Sequence, residues 1–279
     1  MDYRKIVLEE RQRVAKLRSK NLEINSCDKK TAIDSNQKFN DNDAMEPVAS
    51  NRTTWERIQF REFSLECHRV GTTQNLFYVP RIVSAAEEFR ILESIAFAGS
   101  NRIDVWKQLK RRRLQTWGKS IDGSIGKDKP LPHWLQDISD ELVRLLLFEK
   151  SNAPNHVLIN EYKFNEGILH HTDGPIYHDL VAILSLGSPC LMTFRHKLES
   201  YEVGQCSDRD VFSVVLEPRS LLIFSDSIYS TFMHGIADGV TSEMVGSTAP
   251  CLNMHLAGVE EGHKVSVASE VYISCHHFS

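Results

Sequence analysis

Seven short segments rich in β-branched and aromatic residues follow one another from residue 156 onward, with turn residues between them. They are HVLINEY (156–162), LVAILSL (180–186), CLMTF (190–194), DVFSVVLE (210–217), SLLIFSD (220–226), STFMHGI (230–236) and HKVSVASEVY (263–272). Segments of this length and spacing predict antiparallel strands. Because helical patterns precede them, the chain is predicted to be α+β with a sandwich or jelly-roll core.

The helical patterns lie between residues 84 and 148. Ser84 followed by Glu87 predicts a capping box, and the helix after it turns Ile91, Leu92 and Ile95 inward. A second helix is predicted to begin at Pro132. Its apolar side consists of Leu135, Ile138, Leu142, Leu145 and Leu146. A short aromatic strand, NLFYV, precedes both helices at residues 75–79.

The N-terminal quarter of the chain differs in composition from the rest. Residues 1–20 predict one solvated helix, and residues 25–54 are rich in Asn, Asp, Ser and Lys without periodicity, which is typical of a flexible linker. We therefore expect residues 1–72 to form a helical or disordered extension outside the core. The domain itself is then expected to span residues 73–279.

Bulk properties exclude several classes of protein. A chain of 279 residues with 41% hydrophobic content can build one substantial core. The net charge of -4 gives no general attraction to nucleic acid. The six cysteines lack C-x-x-C pairing, and no apolar run has the length of a membrane span or of a signal peptide. We expect a monomer with free thiols in an intracellular compartment, cytoplasmic or nuclear, and no membrane partner.

The segment before the second predicted strand carries a possible metal motif. His171 and Asp173 are two residues apart, so in an extended backbone both side chains project from one face, whereas His170 faces the other way. With a distant histidine they would form the facial triad of non-haem iron(II). His234, which follows the strand at 220–226, is the best third ligand. A His-x-Asp pair also occurs by chance in solvated turns, so the motif alone leaves both interpretations open.

Two longer stretches resemble the core of the AlkB-type dioxygenases. They are NEYKFNEGILHHTDGPIYHDLVAILSLGS (160–188) and LEPRSLLIFSD (216–226), the second followed by MHGI (233–236). The resemblance extends from about residue 75 to about residue 269. It implies a double-stranded β-helix that uses iron(II) and 2-oxoglutarate, with the metal at one open end.

The resemblance also implies roles for individual residues. His171, Asp173 and His234 would be the iron ligands. Asn160 and Tyr162, two apart on one predicted strand, would hydrogen-bond 2-oxoglutarate. Without the resemblance, Asn160 could equally be an inward polar residue bonded to backbone, and Tyr162 a core aromatic with a solvated hydroxyl.

The final core strand departs from the family pattern. Relatives carry Arg-x-Ser-x-Thr-x-Arg, whose arginine grips the distal carboxylate of 2-oxoglutarate, whereas this chain reads HKVSVASE at 263–270. Lys264 then replaces the first arginine and Glu270 the second. Lysine supplies positive charge without a planar two-point grip, so we expect Lys264 to anchor the cosubstrate weakly. The terminal VYISCHHFS has no counterpart in the family pattern.

Basic and aromatic residues alternate at residues 107–119, KQLKRRRLQTWGK. Such a segment suits a phosphate backbone and an unstacked base, but a solvated hairpin anchored by its tryptophans has the same pattern. The stretch resembles the nucleotide-recognition lid of AlkB-type proteins, which implies that Arg113, Gln115 and Trp117 contact the substrate.

Two functions of different class follow. The first is an iron(II)- and 2-oxoglutarate-dependent dioxygenase that hydroxylates an N-methyl group on RNA, DNA or protein, so that the methyl leaves as formaldehyde. The second is a non-catalytic jelly-roll binding protein whose 2-oxoglutarate site is impaired. The predicted metal ligands favour the first function, and the altered last strand favours the second.

Overall fold

A computed structural model describes residues 56–101, 105–120, 129–197, 212–266 and 270–278. The helix and linker predicted within residues 1–55 lie outside these ranges and remain predictions. The described helices are α1 (Ala85–Asn101), α2 (His133–Arg144), α3 (Asp226–Thr231) and α4 (Met254–Ala257). The described strands are β1 (Leu76–Val79), β2 (Lys107–Leu109), β3 (Arg112–Gly118), β4 (His156–Tyr162), β5 (Ile168–His171), β6 (Leu180–Gly187), β7 (Cys190–His196), β8 (Phe212–Leu216), β9 (Leu221–Ser225), β10 (Phe232–Ile236), β11 (Ser242–Met244), β12 (Lys264–Ser266) and β13 (Glu270–His276).

Two antiparallel sheets dominate the described part of the chain. The larger has the order β1-β9-β6-β13-β4-β3-β2 and the smaller the order β5-β10-β7-β8. Apolar side chains from both sheets, among them Tyr78, Ile183 and Phe224 of the larger and Phe194 and Val214 of the smaller, form one buried cluster. This sandwich is the predicted jelly-roll core, and the α+β prediction is confirmed.

Both long helices pack where the sequence patterns predicted. Ser84 and Glu87 exchange the two hydrogen bonds of a capping box. The inward residues of α1 are buried, as are Leu135, Ile138 and Leu142 of α2. The extension of α2 to Leu145 and Leu146 is wrong, because the helix ends at Arg144. Leu146 adopts a positive φ of 58° and is 88% exposed.

The described ranges bear on the membrane and cysteine predictions. None of the helices there has the length and apolar character needed to cross a membrane. The cysteines described are free thiols: Cys67 is exposed, whereas Cys190, Cys251 and Cys275 are buried.

The last strand of the core differs from the predicted one. The strand that fills the centre of the larger sheet is β13, which pairs with β4 on one side and β6 on the other. Lys264 instead begins β12, which pairs with β11 in a separate two-stranded sheet, and its side chain is exposed. The prediction that Lys264 lies on the last core strand is therefore wrong. The segment without a family counterpart, VYISCHH, supplies most of that strand.

The predicted domain boundary at residue 72 also needs correction. Ile58, Phe60 and Val70 are buried. The backbone N–H of Phe60 donates to Glu141 Oε2 of α2 at 2.7 Å, and the N–H of Val70 donates to the Leu76 carbonyl. The described residues from Arg57 onward belong to one compact unit. The segment 57–72 packs on the domain because its apolar residues find partners there that its local composition does not reveal.

We expect Phe60→Ala to destabilise the protein by about 3–5 kcal/mol, because it removes a buried ring and leaves a cavity. Urea denaturation would measure the free energy of unfolding. Phe97→Ala is the control, since Phe97 is 64% exposed and should change stability by less than about 0.5 kcal/mol. Equal stabilities for the two variants would contradict the packing of this segment.

Candidate active site

The three predicted metal ligands converge at one end of the smaller sheet. Strands β5 and β10 pair so that His171 lies opposite His234. The Nε2 atoms of His171 and His234 lie 3.9 Å and 3.8 Å from Asp173 Oδ1. One ligand atom of each residue lies within 4.8 Å of the others, so small adjustments would bring all three onto one ion.

Local backbone features hold the ligands in this arrangement. Strands β5 and β10 approach so closely that a Cβ on Gly235 would lie 2.9 Å from the Ile168 carbonyl oxygen, so glycine is required beside His234. The Tyr229 hydroxyl donates to the Gly174 carbonyl at 2.6 Å. This bond fixes the turn that follows Asp173.

The surroundings of each ligand residue favour binding of a cation. His171 Nδ1 lies 2.9 Å from the Leu169 carbonyl, so it carries the proton and leaves Nε2 as the free electron pair. Burial lowers the pKa of His234 to about 3, which keeps that imidazole neutral. Asp173 Oδ2 is buried and has no hydrogen-bond partner among the described residues. An unpartnered buried carboxylate oxygen beside two imidazoles fits a divalent metal ion.

Neighbouring residues support the orientation of the motif. His170 lies on the opposite face of β5, where its Nε2 is 2.8 Å from Thr193 Oγ1, as strand alternation predicts. His178 lies outside the cavity around the triad and packs edge-on against His277.

A cavity of about 180 Å³ opens beside the triad. Asn160 and Tyr162 of β4 line it, as the family resemblance implies, while Val157 and Ile159 of the same strand face away. The remaining lining includes Ile168, Thr172, Tyr177, Ile183, Met192 and Ile236. Burial raises the pKa of Tyr162, and the positive charge of Arg112 opposes that rise. Tyr162 is therefore a neutral hydroxyl donor in the cavity.

Strand β13 forms the floor of this cavity. Tyr272 and Ser274 line it. The Tyr272 hydroxyl donates to Glu270 Oε2 at 2.6 Å and contacts Cys190 Sγ. Burial raises the pKa of Glu270 from its usual 4.5 to about 7, although the bond from Tyr272 partly opposes the rise. Strand β13 thus brings neither lysine nor arginine to this face, because its alternating residues are Glu270, Tyr272, Ser274 and His276.

The predicted substrate residues of the hairpin β2–β3 point away from the cavity. Arg113 forms two hydrogen bonds to the buried Glu161 and stacks over Trp106. Gln115 donates to the Ile95 carbonyl of α1 and accepts from Trp117. The structure does not bring Arg113, Gln115 and Trp117 to the cavity, because all three lie on the face of β3 that packs against Trp106 and α1. Their contact with a substrate stays a prediction.

The opposite face of β3 carries residues that the sequence analysis missed. Arg112 and Leu114 line the cavity, and Arg112 Nε donates to Asn160 Oδ1 at 2.8 Å. The alternation of side chains along β3 could have identified Arg112 from the sequence. If Trp117 anchors one face of the strand in the core, Arg112, five residues earlier, lies on the opposite face. Tyr272 and Ser274 were missed because the last strand was placed too early in the chain.

A facial triad at the open end of a jelly roll is typical of iron-dependent oxygenases. The sequence pattern of the 2OG-Fe(II) oxygenase superfamily matches residues 106–252. A Danio rerio protein named "Probable RNA/DNA demethylase ALKBH6" is 32% identical over 205 residues, which are 72% of this chain and 85% of that protein. The chain belongs to the 2OG-Fe(II) oxygenase superfamily and is a dioxygenase of the AlkB type.

Two further similarities are more limited. The Macaca fascicularis protein "tRNA (carboxymethyluridine(34)-5-O)-methyltransferase ALKBH8" is 31% identical over 188 residues, which are 65% of this chain but 26% of that protein. The solved structure of OsALKBH1 has 14% identity and a TM-score of 0.47, and covers 75% of this chain and 100% of that chain.

The cofactors of the superfamily are iron(II) and 2-oxoglutarate. The triad fits iron(II), because its buried carboxylate oxygen has no other partner among the described residues, His171 directs Nδ1 at the Leu169 carbonyl and burial keeps His234 neutral. Asn160 and Tyr162 offer hydrogen-bond donors for 2-oxoglutarate in the same cavity. The described cavity departs from the family pattern in its floor, where no arginine of β13 is available for the distal carboxylate.

We expect Asp173→Ala and His234→Ala each to lower the affinity for Mn(II) by at least about 100-fold, because each removes a direct ligand rather than an outer partner. Titration calorimetry of the metal-free protein would measure the affinity. His170→Ala, a change on the opposite face of β5, should retain Mn(II) binding. Loss of binding in His170→Ala but not in His234→Ala would contradict the assigned triad.

Glu270→Gln should change the pH dependence of stability. With a pKa of about 7 in the folded protein and about 4.5 when unfolded, Glu270 keeps its proton only in the folded state between these values, so stability falls as pH rises across them. Because glutamine does not ionise, the variant lacks this fall in stability with rising pH. We expect the variant to match the parent near pH 4 and to exceed it above pH 7 by up to about 3 kcal/mol.

Urea denaturation at a series of pH values would test this expectation. The exposed Glu260→Gln provides a matched control and should follow the parent at every pH. If the free energy of unfolding of Glu270→Gln differs from that of the parent by the same amount at pH 4 and pH 8, the raised pKa of Glu270 is refuted.

Proposed function

We propose that this dioxygenase oxidatively demethylates an N-methylated nucleic acid, with His171, Asp173 and His234 holding the iron. The observation that carries the proposal is a basic hairpin, β2–β3, at the mouth of the triad cavity. Arg112 of this hairpin lines the cavity itself. In this proposal a methylated base enters the cavity beside these residues.

The hairpin offers positive charge where a phosphate backbone would lie. Lys107, Lys110 and Arg111 are exposed around its turn. Arg111 Nη1 forms an ion pair with Asp238 Oδ2 at 2.6 Å, which ties the hairpin to the loop after β10. A local basic patch can bind phosphates although the whole chain carries a net charge of -4.

The names of similar proteins support the same class of substrate. The Danio rerio relative is named a probable RNA/DNA demethylase, and the Macaca fascicularis relative is named for an activity on tRNA. The first of these similarities covers 85% of the relative's length, so it includes most of that protein.

The cofactors and the protein side chains have different roles in the reaction. When bound, iron(II) and 2-oxoglutarate would activate dioxygen: one oxygen atom would oxidise 2-oxoglutarate to succinate and carbon dioxide, and the other would hydroxylate the methyl C–H bond, after which the hydroxymethyl group would leave nitrogen as formaldehyde. The protein holds the two imidazoles and Asp173 in place and offers the donors of Asn160 and Tyr162. Apolar residues such as Ile183 and Met192 limit water around the metal. A base must leave its stack to enter, which favours single-stranded substrates.

The iron-loaded protein with 2-oxoglutarate should release formaldehyde from single-stranded RNA or DNA oligonucleotides that carry N-methylated bases. Mass spectrometry of the oligonucleotide should show a loss of one methyl group, and Asp173→Ala should show none. Oligonucleotides of the same sequence without methyl groups serve as the substrate control.

The other functions considered for this chain make different predictions in the same assay. A methylated-lysine peptide that is demethylated in place of the oligonucleotides would indicate a protein substrate. Oligonucleotide binding without any turnover of 2-oxoglutarate would instead indicate a non-catalytic binding protein. Either result would refute nucleic acid demethylation.

A further inference from the structure

Three consecutive arginines of the β2–β3 hairpin have different surroundings. Arg111 pairs with Asp238, and Arg113 pairs with Glu161, so both guanidinium groups are matched by carboxylates. Arg112 lies between them and lines the cavity on the other face. Its Nε donates to the neutral amide oxygen of Asn160. Among the described residues, Arg112 thus keeps its full positive charge available to a ligand.

A dianionic cosubstrate in this cavity requires a positive charge nearby. A divalent ion bound to Asp173 keeps one net positive charge, whereas 2-oxoglutarate carries two negative charges. Among the described lining residues, Arg112 is the only lysine or arginine. The floor strand instead contributes Tyr272 and Ser274, neither of which carries a positive charge. Of the described lining residues, therefore, only Arg112 offers a lysine or arginine charge that can neutralise a dicarboxylate in this cavity.

The hydrogen bond between Arg112 and Asn160 also arranges donors for a carboxylate. Because Nε donates to Asn160 Oδ1, the amide must present its Nδ2 donors elsewhere. The two terminal nitrogens of Arg112 remain as donors in the planar geometry that matches a carboxylate. The hydroxyl of Tyr162 is close enough for Arg112 to influence its pKa. Donors of three kinds are thus clustered on adjacent strands β3 and β4.

We propose that Arg112, on the hairpin strand rather than on the last core strand, binds the distal carboxylate of 2-oxoglutarate together with Asn160 and Tyr162. The hairpin that borders the substrate opening then also holds the cosubstrate. This inference depends on the cofactor of the superfamily and not on nucleic acid as the substrate. It replaces Lys264, whose exposed position on β12 excludes it from the cavity.

The test measures binding in the absence of turnover and of nucleic acid. Titration calorimetry of the Mn(II)-loaded full-length chain would compare 2-oxoglutarate with 2-oxopentanoate, which has a methyl group in place of the distal carboxylate. We expect Arg112→Gln to weaken 2-oxoglutarate binding by about 10- to 100-fold, the loss of a charge-assisted pair, and to leave 2-oxopentanoate binding unchanged. Arg112→Lys should be intermediate, since it retains the charge without the planar fork.

Two cation controls are available in the same chain. Lys264→Ala and Lys163→Gln remove exposed charges outside the cavity, and both should bind 2-oxoglutarate like the parent. Mn(II) affinity and thermal unfolding of every variant would report whether the fold is retained. If Arg112→Gln does not fold, the comparison of the two ligands in Arg112→Lys decides the question.

Three results would overturn the proposal. One is an unchanged affinity of the Arg112 variant for 2-oxoglutarate. Another is an equal loss for both ligands, which would place Arg112 at the 2-oxo acid end or in the structure of the cavity. The third, from a separate titration with single-stranded RNA, is a loss confined to RNA binding, which would make Arg112 a phosphate contact. A failure of demethylation alone would refute the proposed substrate and leave this inference intact.

Discussion

The antiparallel pairing of β5 with β10 is the constraint on which the site depends. It sets His171 opposite His234, and the lack of a side chain at Gly235 lets the two backbones approach. Strand β10 also pairs with β7, so His234 is held inside the smaller sheet from both sides. Asp173 follows on the turn after β5. The metal site is therefore preformed by backbone pairing and by burial, which keeps His234 neutral.

The larger sheet depends on β13 in a similar way. This strand joins β4 to β6, and its Val271, Ile273 and Cys275 are buried. Its alternate residues Tyr272 and Ser274 form the cavity floor, so one strand serves both the packing of the sheet and the lining of the cavity. Burial of Glu270 without a cationic partner among the described residues makes its negative charge costly, which is why its pKa rises towards neutrality.

The β2–β3 hairpin connects the elements of the site. Arg113 fixes it to the sheet through Glu161, and Arg111 fixes its turn to the loop after β10. Between these two anchors, Arg112 reaches the cavity and contacts Asn160. The positive charge that the family pattern predicts on the last strand is thus available here from the neighbouring side of β4. The basic hairpin and the cavity therefore share one structural element.

The sequence by itself determined the features that depend on near neighbours: the capping box at Ser84, the strand segments after residue 156 and the His171–Asp173 pair. Only the tertiary structure decided the pairings between distant segments. Residues 264–266 and 270–276 both have a strand-like pattern, but only the second can fill the gap between β4 and β6 while burying Val271 and Ile273. Likewise, packing of Gln115 against α1 determined which face of β3 points into the cavity. Local periodicity specifies that a strand has two faces, but the partners that bury one of them come from elsewhere in the chain.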